Sequence, residues 1–436
     1  MIGTFHISHK QTILLTSLIA IVLCSTLIFT GIFTNGFDDS SLENAVHVKT
    51  EEELKNAINN APTKKPTTIT LNNDITLTKT TNDYTSNYWP VNIIIPADKD
   101  ITLTSNKPNG YYKLNGTVNG TILHVAPNGT LRVDGISIIH TSNTGGGGVS
   151  VYTFAEFYFY NGLISGNKAY GGHGVSNMGA FVMYGGEISG NTAENGGGVY
   201  NSGTFNMSGG KISGNTANSG GGGGVVNDFR GVFVMSGGTI SGNTAGGSGG
   251  GVYISYSEFA MSGGEISGNK AVQWGGGVHN GANFTISGGK ISGNTADLGG
   301  GVYNGYAFTM SGGEIIRNTA NIGGGVYNTR NFGGNDLVGT FNRLGGKISG
   351  NTATNGNDMY PDDDSGGFSN GNNNDSDKRF FGDIGGGIFI YGSELQDMIV
   401  VCVIILIVVL CIVLFVLHLA SQKKIGQAEK TNNSDF

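Results

Sequence analysis

The chain has 436 residues, among them 77 glycines and only 7 prolines, and its formal net charge at pH 7 is −7. This much glycine without proline excludes collagen, and a hydrophobic share of 38% excludes disorder along the whole chain. The charge is mildly acidic, and no basic block lies in the body of the chain. We therefore expect no nucleic-acid partner.

An apolar run over residues 13–33, preceded by Lys10, is the first predicted element. Its length and the preceding charge indicate a secretory signal peptide or a signal anchor over residues 1–33. Residues 30–34 contain small side chains without a clean A-x-A pattern, so the sequence leaves cleavage open. Residues 34–45 then form a predicted linker.

A short helix is expected at the start of the exported part. Thr50 followed by Glu51, Glu52 and Glu53 matches a capping box, and Leu54, Ala57 and Ile58 then give one apolar stripe. Such a helix would cover the open end of a solenoid core, which otherwise exposes apolar side chains and unpaired strand edges. The pattern therefore predicts an N-terminal capping helix.

A glycine-rich repeat of about 25 residues fills the middle of the chain. Each unit reads Gly-Gly-Gly-Val-Tyr-Asn, a short Phe-x-Met piece and Gly-Gly-x-Ile-Ser-Gly-Asn-Thr-Ala. The three β-prone pieces are too short for helices and are separated by glycine clusters. One unit cannot bury its alternating apolar residues, whereas stacked units can. The repeat therefore predicts an all-β solenoid, a parallel β-helix over residues 46–397.

Equivalent residues of successive units are expected to form columns along the solenoid. Phe205 and Phe233, for example, should be axial neighbours inside the core. The asparagine of each Ser-Gly-Asn should form a hydrogen-bonded structural ladder, with the members Asn167, Asn191, Asn215, Asn243, Asn269, Asn294, Asn318 and Asn351. The residue before each isoleucine should bring opposite charges onto adjacent turns, in the order Glu187, Lys211, Thr239, Glu265, Lys290, Glu314 and Lys347.

The residue after each inward valine should point outward, and it is often aromatic. Exposed aromatic side chains stacked along a sheet can dock sugar rings or the surface of a partner. The alternative is that they only pack on each other and hold the register of the turns. The candidate binding residues are Tyr200, Tyr253, His279, Tyr303 and Tyr327.

An acidic insertion of low complexity covers residues 354–383 and interrupts the last repeats. Its oxygen-rich side chains are candidates for weak Ca²⁺ binding, although a solvated loop without metal explains them as well. The candidate ligands are Asp358, Asp362, Asp363 and Asp364. We expect no other cofactor.

Six Asn-x-Ser/Thr sequons are candidate glycosylation sites if the host modifies exported chains. They are Asn115, Asn119, Asn128, Asn206, Asn283 and Asn374. The motif also arises by chance in a chain rich in Asn and Thr, so its presence alone leaves modification open.

A second apolar run, over residues 399–419, is almost entirely Val, Ile and Leu. At ~1.5 Å per residue it is long enough to cross a bilayer, which predicts a transmembrane helix over residues 398–419. Lys423 and Lys424 follow this run, whereas Glu394 and Asp397 precede it. The positive-inside rule then places the tail, residues 420–436, in the cytoplasm and the repeats outside the cell membrane. The three cysteines, Cys24, Cys402 and Cys411, lie within the two apolar runs, so no disulfide framework or cysteine metal site is expected between them.

The motifs Gly-Gly-x-Ile-Ser-Gly-Asn-Thr-Ala and Gly-Gly-Gly-Val-Tyr resemble the repeats of the pectin-lyase-like right-handed parallel β-helix superfamily. The resemblance covers residues 46–395. Within that superfamily the motifs are similar to repeats of polymorphic membrane proteins and adhesin-like surface proteins. The resemblance implies a right-handed helix, but it does not imply one activity, because the superfamily contains lyases, hydrolases and non-enzymes. Chlamydial-type members end in an outer-membrane barrel, whereas this chain ends with one apolar run, so an autotransporter mechanism is not implied.

The expected function is that of a membrane-anchored surface protein without enzymatic activity. It would act in adhesion or as an envelope structural protein, with surface glycans or other surface proteins as partners. The alternative is a tethered polysaccharide lyase or glycoside hydrolase, which needs clustered carboxylates on neighbouring turns. The repeated turns supply few such carboxylates.

Overall fold

Successive repeats pair strand by strand in parallel, and the chain winds into a parallel β-solenoid of about 10 turns. The computed structural model describes residues 45–80, 90–141, 145–169, 174–329 and 339–360. The predicted signal segment, the transmembrane segment, the cytoplasmic tail, the linker up to residue 44 and the insertion beyond Tyr360 lie outside these residues. In the part of the chain that is described, no helix combines the length and the apolar character that a membrane span requires.

The first sheet contains the Phe-x-Met strands of the repeat and the strands that precede them in the N-terminal turns. Its inward residues are fully buried, from Ile101 and Leu103 in an early turn to Phe308 and Met310 in a late one. Its strands are Val46–Val48, Pro66–Leu71, Asp100–Ser105, Thr130–His140, Glu156–Ser165, Ala180–Met183, Thr204–Met207, Val232–Met235, Val252–Met261, Val278–Ile286, Ala307–Met310 and Thr340–Arg343.

The second sheet contains the Ile-Ser strands. Thr130–His140 and Glu156–Ser165 are long enough to continue from the first sheet into the second. The other strands are Ile75–Leu77, Tyr112–Gly116, Glu187–Ser189, Lys211–Ser213, Thr239–Ser241, Glu265–Ser267, Lys290–Ser292, Glu314–Ile316 and Lys347–Ser349.

The third sheet contains the Val-Tyr-Asn strands. Val252–Met261 and Val278–Ile286 begin in this sheet and continue into the first. The other strands are Val91–Ile95, Thr121–Val125, Val149–Val151, Val175–Asn177, Val199–Asn201, Val225–Asn227, Val302–Asn304, Val326–Asn328 and Met359–Tyr360.

Short strands also follow the Ser-Gly-Asn turn, where Thr-Ala pairs with Thr-Ala or Lys-Ala of the next turn. They form one five-stranded and one two-stranded ladder. Their bounds are Lys168–Ala169, Thr192–Ala193, Thr216–Ala217, Thr244–Ala245, Lys270–Ala271, Thr319–Ile322 and Thr352–Asn355.

Phenylalanine side chains stack along the middle of the core, as the columns predicted. Seven successive ring pairs from Phe157 to Phe341 have centroids 4.6–5.0 Å apart and planes within 11° of parallel. Phe205 and Phe233 are axial neighbours, with centroids 4.6 Å apart. Each such pair contributes about 0.5–1.5 kcal/mol beyond the burial of its area, so the column also favours this register over its alternatives.

The predicted asparagine ladder is present from Asn167 to Asn351. In each step the side-chain Nδ2 donates to the Oδ1 of the next asparagine at 2.8–3.0 Å. The backbone N of the same residue donates to that oxygen as well, at 2.9–3.1 Å. The eight side chains are almost fully buried, so the ladder satisfies polar groups that water cannot reach.

A second asparagine ladder, which the sequence reasoning missed, runs through the last position of the Val-Tyr-Asn strands. Asn177, Asn201 and Asn227 form one part, and Asn280, Asn304 and Asn328 form another. Their Nδ2–Oδ1 distances are 2.6–2.7 Å. Ile254 stands at the intervening position, and Asn227 there donates to Ser257 Oγ at 3.0 Å instead.

The alternating charges also lie in register on the second sheet. Lys211 Nζ is 3.8 Å from Glu187, and Lys290 Nζ is 3.6 Å from Glu265. Both pairs are about half exposed, so each contributes at most about 1 kcal/mol. Their order along the solenoid is the predicted one, which confirms the alignment of the turns.

The third glycine of each Gly-Gly-Gly lies close to the backbone of the next turn. A Cβ atom on Gly277 would stand 2.6 Å from the carbonyl oxygen of Gly301 and 2.8 Å from Ile291 Cγ2. These contacts are shorter than any side chain tolerates, and the backbone has no room to move away. The glycine cluster therefore allows the turns to stack at strand spacing.

The helix expected near the N-terminus spans Glu51–Asn60. Thr50 Oγ1 accepts a hydrogen bond from Glu53 N at 3.2 Å, and a Glu53 carboxylate oxygen accepts one from Lys49 N at 2.7 Å. Leu54 and Ile58 are buried and belong to the same apolar core as the strands. The helix is the only one among the described residues.

Candidate functional site

Four of the five predicted aromatic residues stack on consecutive turns of the third sheet. The ring centroids of Tyr253 and His279 are 4.7 Å apart, those of His279 and Tyr303 are 5.0 Å apart, and those of Tyr303 and Tyr327 are 5.3 Å apart. Tyr360 continues the stack at 5.5 Å from Tyr327. We name Tyr253, His279, Tyr303, Tyr327 and Tyr360 the aromatic stripe.

Tyr200, the fifth predicted residue, lies on the same column but apart from the stripe. Val226 occupies the turn between Tyr200 and Tyr253. The Tyr200 hydroxyl lies 3.5 Å from Asp228 Oδ2. Burial and the nearby Asp228 carboxylate raise the pKa of Tyr200 to about 12, so this hydroxyl stays protonated across the physiological range.

Trp274 is a member of this site that the sequence reasoning missed. Its ring centroid is 5.2 Å from that of Tyr303 and 5.8 Å from that of His279. It lies in the turn between the short Lys-Ala strand and the third sheet, outside the alternating pattern that predicted the stripe. Trp274 is 39% exposed. The signal available in the sequence was that only two tryptophans occur in the chain.

The ring planes of the stripe lie within 14° of parallel from turn to turn, so the ring faces are directed at each other along the solenoid. Ring edges and hydroxyl groups, rather than ring faces, are therefore directed toward solvent. Burial raises the pKa of Tyr253, Tyr303 and Tyr327. The stripe offers a line of neutral hydroxyls that can hydrogen bond to a polar ligand, but little free aromatic face.

A cluster of charged and aromatic side chains lies on the outer face of the first sheet, in the N-terminal turns. Arg132 forms an ion pair with Asp100, and its guanidinium carbon lies 5.2 Å from the centroid of the Tyr158 ring. The Tyr158 hydroxyl donates to Glu156 Oε2 at 3.1 Å. Asp134 follows Arg132 on the same face of the strand. We name these five residues the Arg132 cluster.

The surroundings shift the protonation of several groups in and beside this cluster. Partial removal from water raises the pKa of Asp134 above its ordinary value. Burial and the Glu156 carboxylate raise the pKa of Tyr158 to about 12. Tyr160, next to the cluster, stacks on Tyr184 with centroids 5.0 Å apart, and burial raises its pKa as well. A carboxyl group with a raised pKa is a candidate for proton transfer.

Of the predicted calcium ligands, Asp358 is the one whose position is described. Its Oδ1 accepts hydrogen bonds from the Asn351 backbone N at 3.1 Å and from Asn351 Nδ2 at 2.9 Å. This oxygen therefore ends the asparagine ladder. Asp362, Asp363 and Asp364 lie outside the described residues, and within the described ranges no three His, Cys, Asp or Glu side chains are grouped as a metal site.

A cleft of about 400 Å³ lies between the helix and the first strand. Its lining is mostly apolar or amide, with Val46, Ala57 and Pro62 among the lining residues. The titratable residues that line it are His47 and Glu53. Glu53 already accepts the Lys49 N–H, so the cleft offers little chemistry.

No protein-family model, curated protein or solved structure gives a significant match to the chain. The parallel β-solenoid is established by the strand pairing itself. The resemblance of the repeats to the pectin-lyase-like superfamily therefore stays a prediction.

Five of the six sequons lie in the described part of the chain. Asn119, Asn128 and Asn283 are exposed, whereas Asn115 and Asn206 are half-buried. Asn115 Oδ1 accepts a hydrogen bond from Thr141 Oγ1 at 2.7 Å. Asn374 lies outside the described residues. The three exposed asparagines are the more accessible acceptors.

Proposed function

We propose that the chain is a cell-surface protein whose solenoid acts in adhesion or as a structural component of the envelope. In this proposal the run over residues 398–419 anchors the chain in the membrane, the solenoid lies outside, and residues 420–436 lie in the cytoplasm. The charges on either side of the run support this orientation. Surface glycans or other surface proteins are the partners that fit.

The solenoid is proposed to be a right-handed parallel β-helix closed at its N-terminal end by the helix Glu51–Asn60. Leu54 and Ile58 support this role, because both are fully buried against the strands that begin the core. Glu51 also accepts hydrogen bonds from the N and Oγ1 of Thr78 at 2.9 and 3.0 Å, which ties the helix to the first turns. The handedness is supported by the resemblance of the repeats.

The recurrence of equivalent outward residues on successive turns is the observation that carries the adhesion proposal. Stacked turns lie ~4.8 Å apart, so similar residues repeated over several turns give an extended line of similar groups. The aromatic stripe is such a line over five turns. A line of weak contacts gains affinity from multivalency, which suits adhesion to a polymeric or crowded surface.

Binding and cleavage assays on the full-length chain in detergent micelles test this proposal. The chain is screened against immobilised glycans and intact cells, and it is incubated with polyuronates and neutral polysaccharides, with and without Ca²⁺. We expect binding to at least one glycan or cell type and no shortening of any polymer. Cleavage of a glycosidic bond would contradict the adhesion proposal.

The alternative function is a tethered polysaccharide lyase or glycoside hydrolase, and the Arg132 cluster favours it. Asp134, with its raised pKa, would be the proton donor to the leaving oxygen. Glu156 would be the second carboxylate, and Arg132 would hold an acidic substrate group. If cleavage is detected, Asp134→Asn should abolish it. The matched control, Asp297→Asn, changes an exposed carboxylate on a distant turn and should leave cleavage unchanged.

A further inference from the structure

The corner between the end of the third sheet and the start of the first carries large exposed side chains on five turns of the solenoid. We name this set the turn-edge row; its members are Phe154, Met178, Phe229, Tyr256 and Tyr306, with exposed fractions of 79%, 38%, 68%, 82% and 49%. The ends of the third-sheet strands stay in register from turn to turn, from Val151 to Asn304. The starts of the first-sheet strands do so from Glu156 to Ala307. The five side chains therefore lie along one edge, over about 29 Å at ~4.8 Å per turn.

Three of these residues have a backbone conformation that large side chains seldom adopt. The φ angles of Phe154, Phe229 and Tyr256 are +65°, +48° and +48°. Glycine adopts such angles without strain, and glycine occupies positive-φ positions at many other turns of this chain. Folding alone would therefore favour glycine at these three positions. A strained and exposed aromatic residue points to a role outside folding.

The ring faces of this row are accessible, in contrast to those of the aromatic stripe. Phe154, Phe229 and Tyr256 are each more than two-thirds exposed, so at least one face of each ring meets solvent. An exposed aromatic face accepts the polarised C–H groups on the apolar side of a sugar ring. Small residues, Ser202 and Gly281, occupy the equivalent position in the other two turns, which leaves space for a chain to lie along the edge.

The charges of this edge favour an uncharged ligand. From the end of each third-sheet strand to the first paired residue of the first sheet, the seven turns contain Glu156, Asp228, Arg230 and Glu258 as charged residues, three carboxylates against one guanidinium. An excess of negative charge repels polyuronates and anionic lipid surfaces. The same carboxylates accept hydrogen bonds from sugar hydroxyls. Aromatic faces with flanking acceptors are typical of sites for neutral carbohydrates.

We propose that the turn-edge row binds an uncharged polysaccharide or glycan chain laid along the solenoid axis, with Phe229 and Tyr256 at its centre. This inference rests on the proposed adhesive function and names the ligand class and the surface that serve it. It moves the expected contact from the aromatic stripe to the neighbouring edge, where the ring faces are free.

The double variant Phe229→Gly/Tyr256→Gly tests the proposal on the full-length chain in detergent micelles. Binding is measured to immobilised cellohexaose, mannohexaose and chitohexaose, with hexagalacturonate as the anionic comparison. We expect the unmodified chain to bind at least one neutral hexaose and to prefer it to hexagalacturonate. Loss of two ring contacts should weaken that binding about tenfold or more. Because glycine suits positive φ, the variant should unfold at the same or a higher temperature.

The matched control is Val272→Ser/Leu344→Ser, which removes two exposed apolar side chains elsewhere on the solenoid. Its affinity for the neutral hexaose should equal that of the unmodified chain. Undiminished binding by the double glycine variant, or tighter binding to hexagalacturonate, overturns the turn-edge proposal while adhesion itself still stands. An unmodified chain that adheres to no cell and no glycan overturns both proposals together.

Discussion

His279 is the member of the aromatic stripe that differs most from its neighbours. It lies between the rings of Tyr253 and Tyr303 and is only 7% exposed. Its Nδ1 has no hydrogen-bond partner among the described residues. Burial lowers the pKa of His279 from 6.5 to about 4, because a charged imidazolium would lose its hydration there. The neutral ring therefore stacks as a smaller aromatic residue at physiological pH.

A change of His279 to Phe should reduce the sensitivity of the fold to acid. The pKa of His279 is lower in the folded state than in the unfolded state, so the unfolded state takes up its proton first as the pH falls. The contribution of neutral His279 to the free energy of unfolding is complete above about pH 6.5. As the pH falls from about 6.5 to 4, about 3 kcal/mol of that free energy is lost. Urea unfolding of both chains at several pH values in that range measures the difference. Identical pH dependence in the His279→Phe chain would contradict this account.

The asparagine ladder is an element with a direction. In each asparagine–asparagine bond the Nδ2 lies on the N-terminal side and the Oδ1 on the C-terminal side, so the first Oδ1 needs a donor before it and the last Nδ2 needs an acceptor after it. His140 Nδ1 lies 2.9 Å from Asn167 Oδ1 at the first end, which assigns the proton of this ring to Nδ1. Asp358 Oδ1 is the acceptor at the other end. The two ends are occupied by side chains that could not exchange places.

Replacing Asp358 should therefore destabilise the last turns of the solenoid. Asp358→Ala removes the acceptor of the Asn351 backbone N and one of the two acceptors of its Nδ2, at a site that is 5% exposed, at a cost of about 1–3 kcal/mol. Asp358→Asn keeps an acceptor oxygen and should cost less than about 1 kcal/mol. Hydrogen exchange of the Asn318 and Asn351 amides compares the two variants. Equal protection in both would show that the acceptor is dispensable.

The repeat explains why so much of this element was predictable. The Ser-Gly-Asn asparagines and the Phe column recur in every unit, so their period alone placed them one above another. The asparagine of the second ladder also recurs, at the end of each Val-Tyr-Asn. Because a turn follows this residue at once, the sequence alone does not show whether its side chain points inward or outward. The Arg132 cluster and Trp274 could not be found this way, because they depend on contacts between residues that do not recur.

The turns of the whole solenoid are joined mainly to their immediate neighbours. Each turn adds one member to every column, and its partners are the equivalent residues directly before and after it. The stability of such a molecule is close to the sum of its turns and the contacts between adjacent turns. One complete turn from the regular region should therefore be removable, because the flanking turns are complementary to each other.

Deletion of residues 188–211 removes one turn of 24 residues and joins Glu187 to Ile212, which are in register with Lys211 and Ile188 of the neighbouring turn. Phe181 then becomes the axial neighbour of Phe233. Asn191 is lost with the deleted turn, so Asn167 pairs with Asn215 instead. We expect an unchanged β-type circular-dichroism spectrum and an unfolding temperature within about 5 °C of the original. Deletion of residues 188–199 removes half a turn, shifts every later column and should abolish cooperative unfolding. If both deletions behave alike, the columns do not determine the fold, because only the first deletion preserves them.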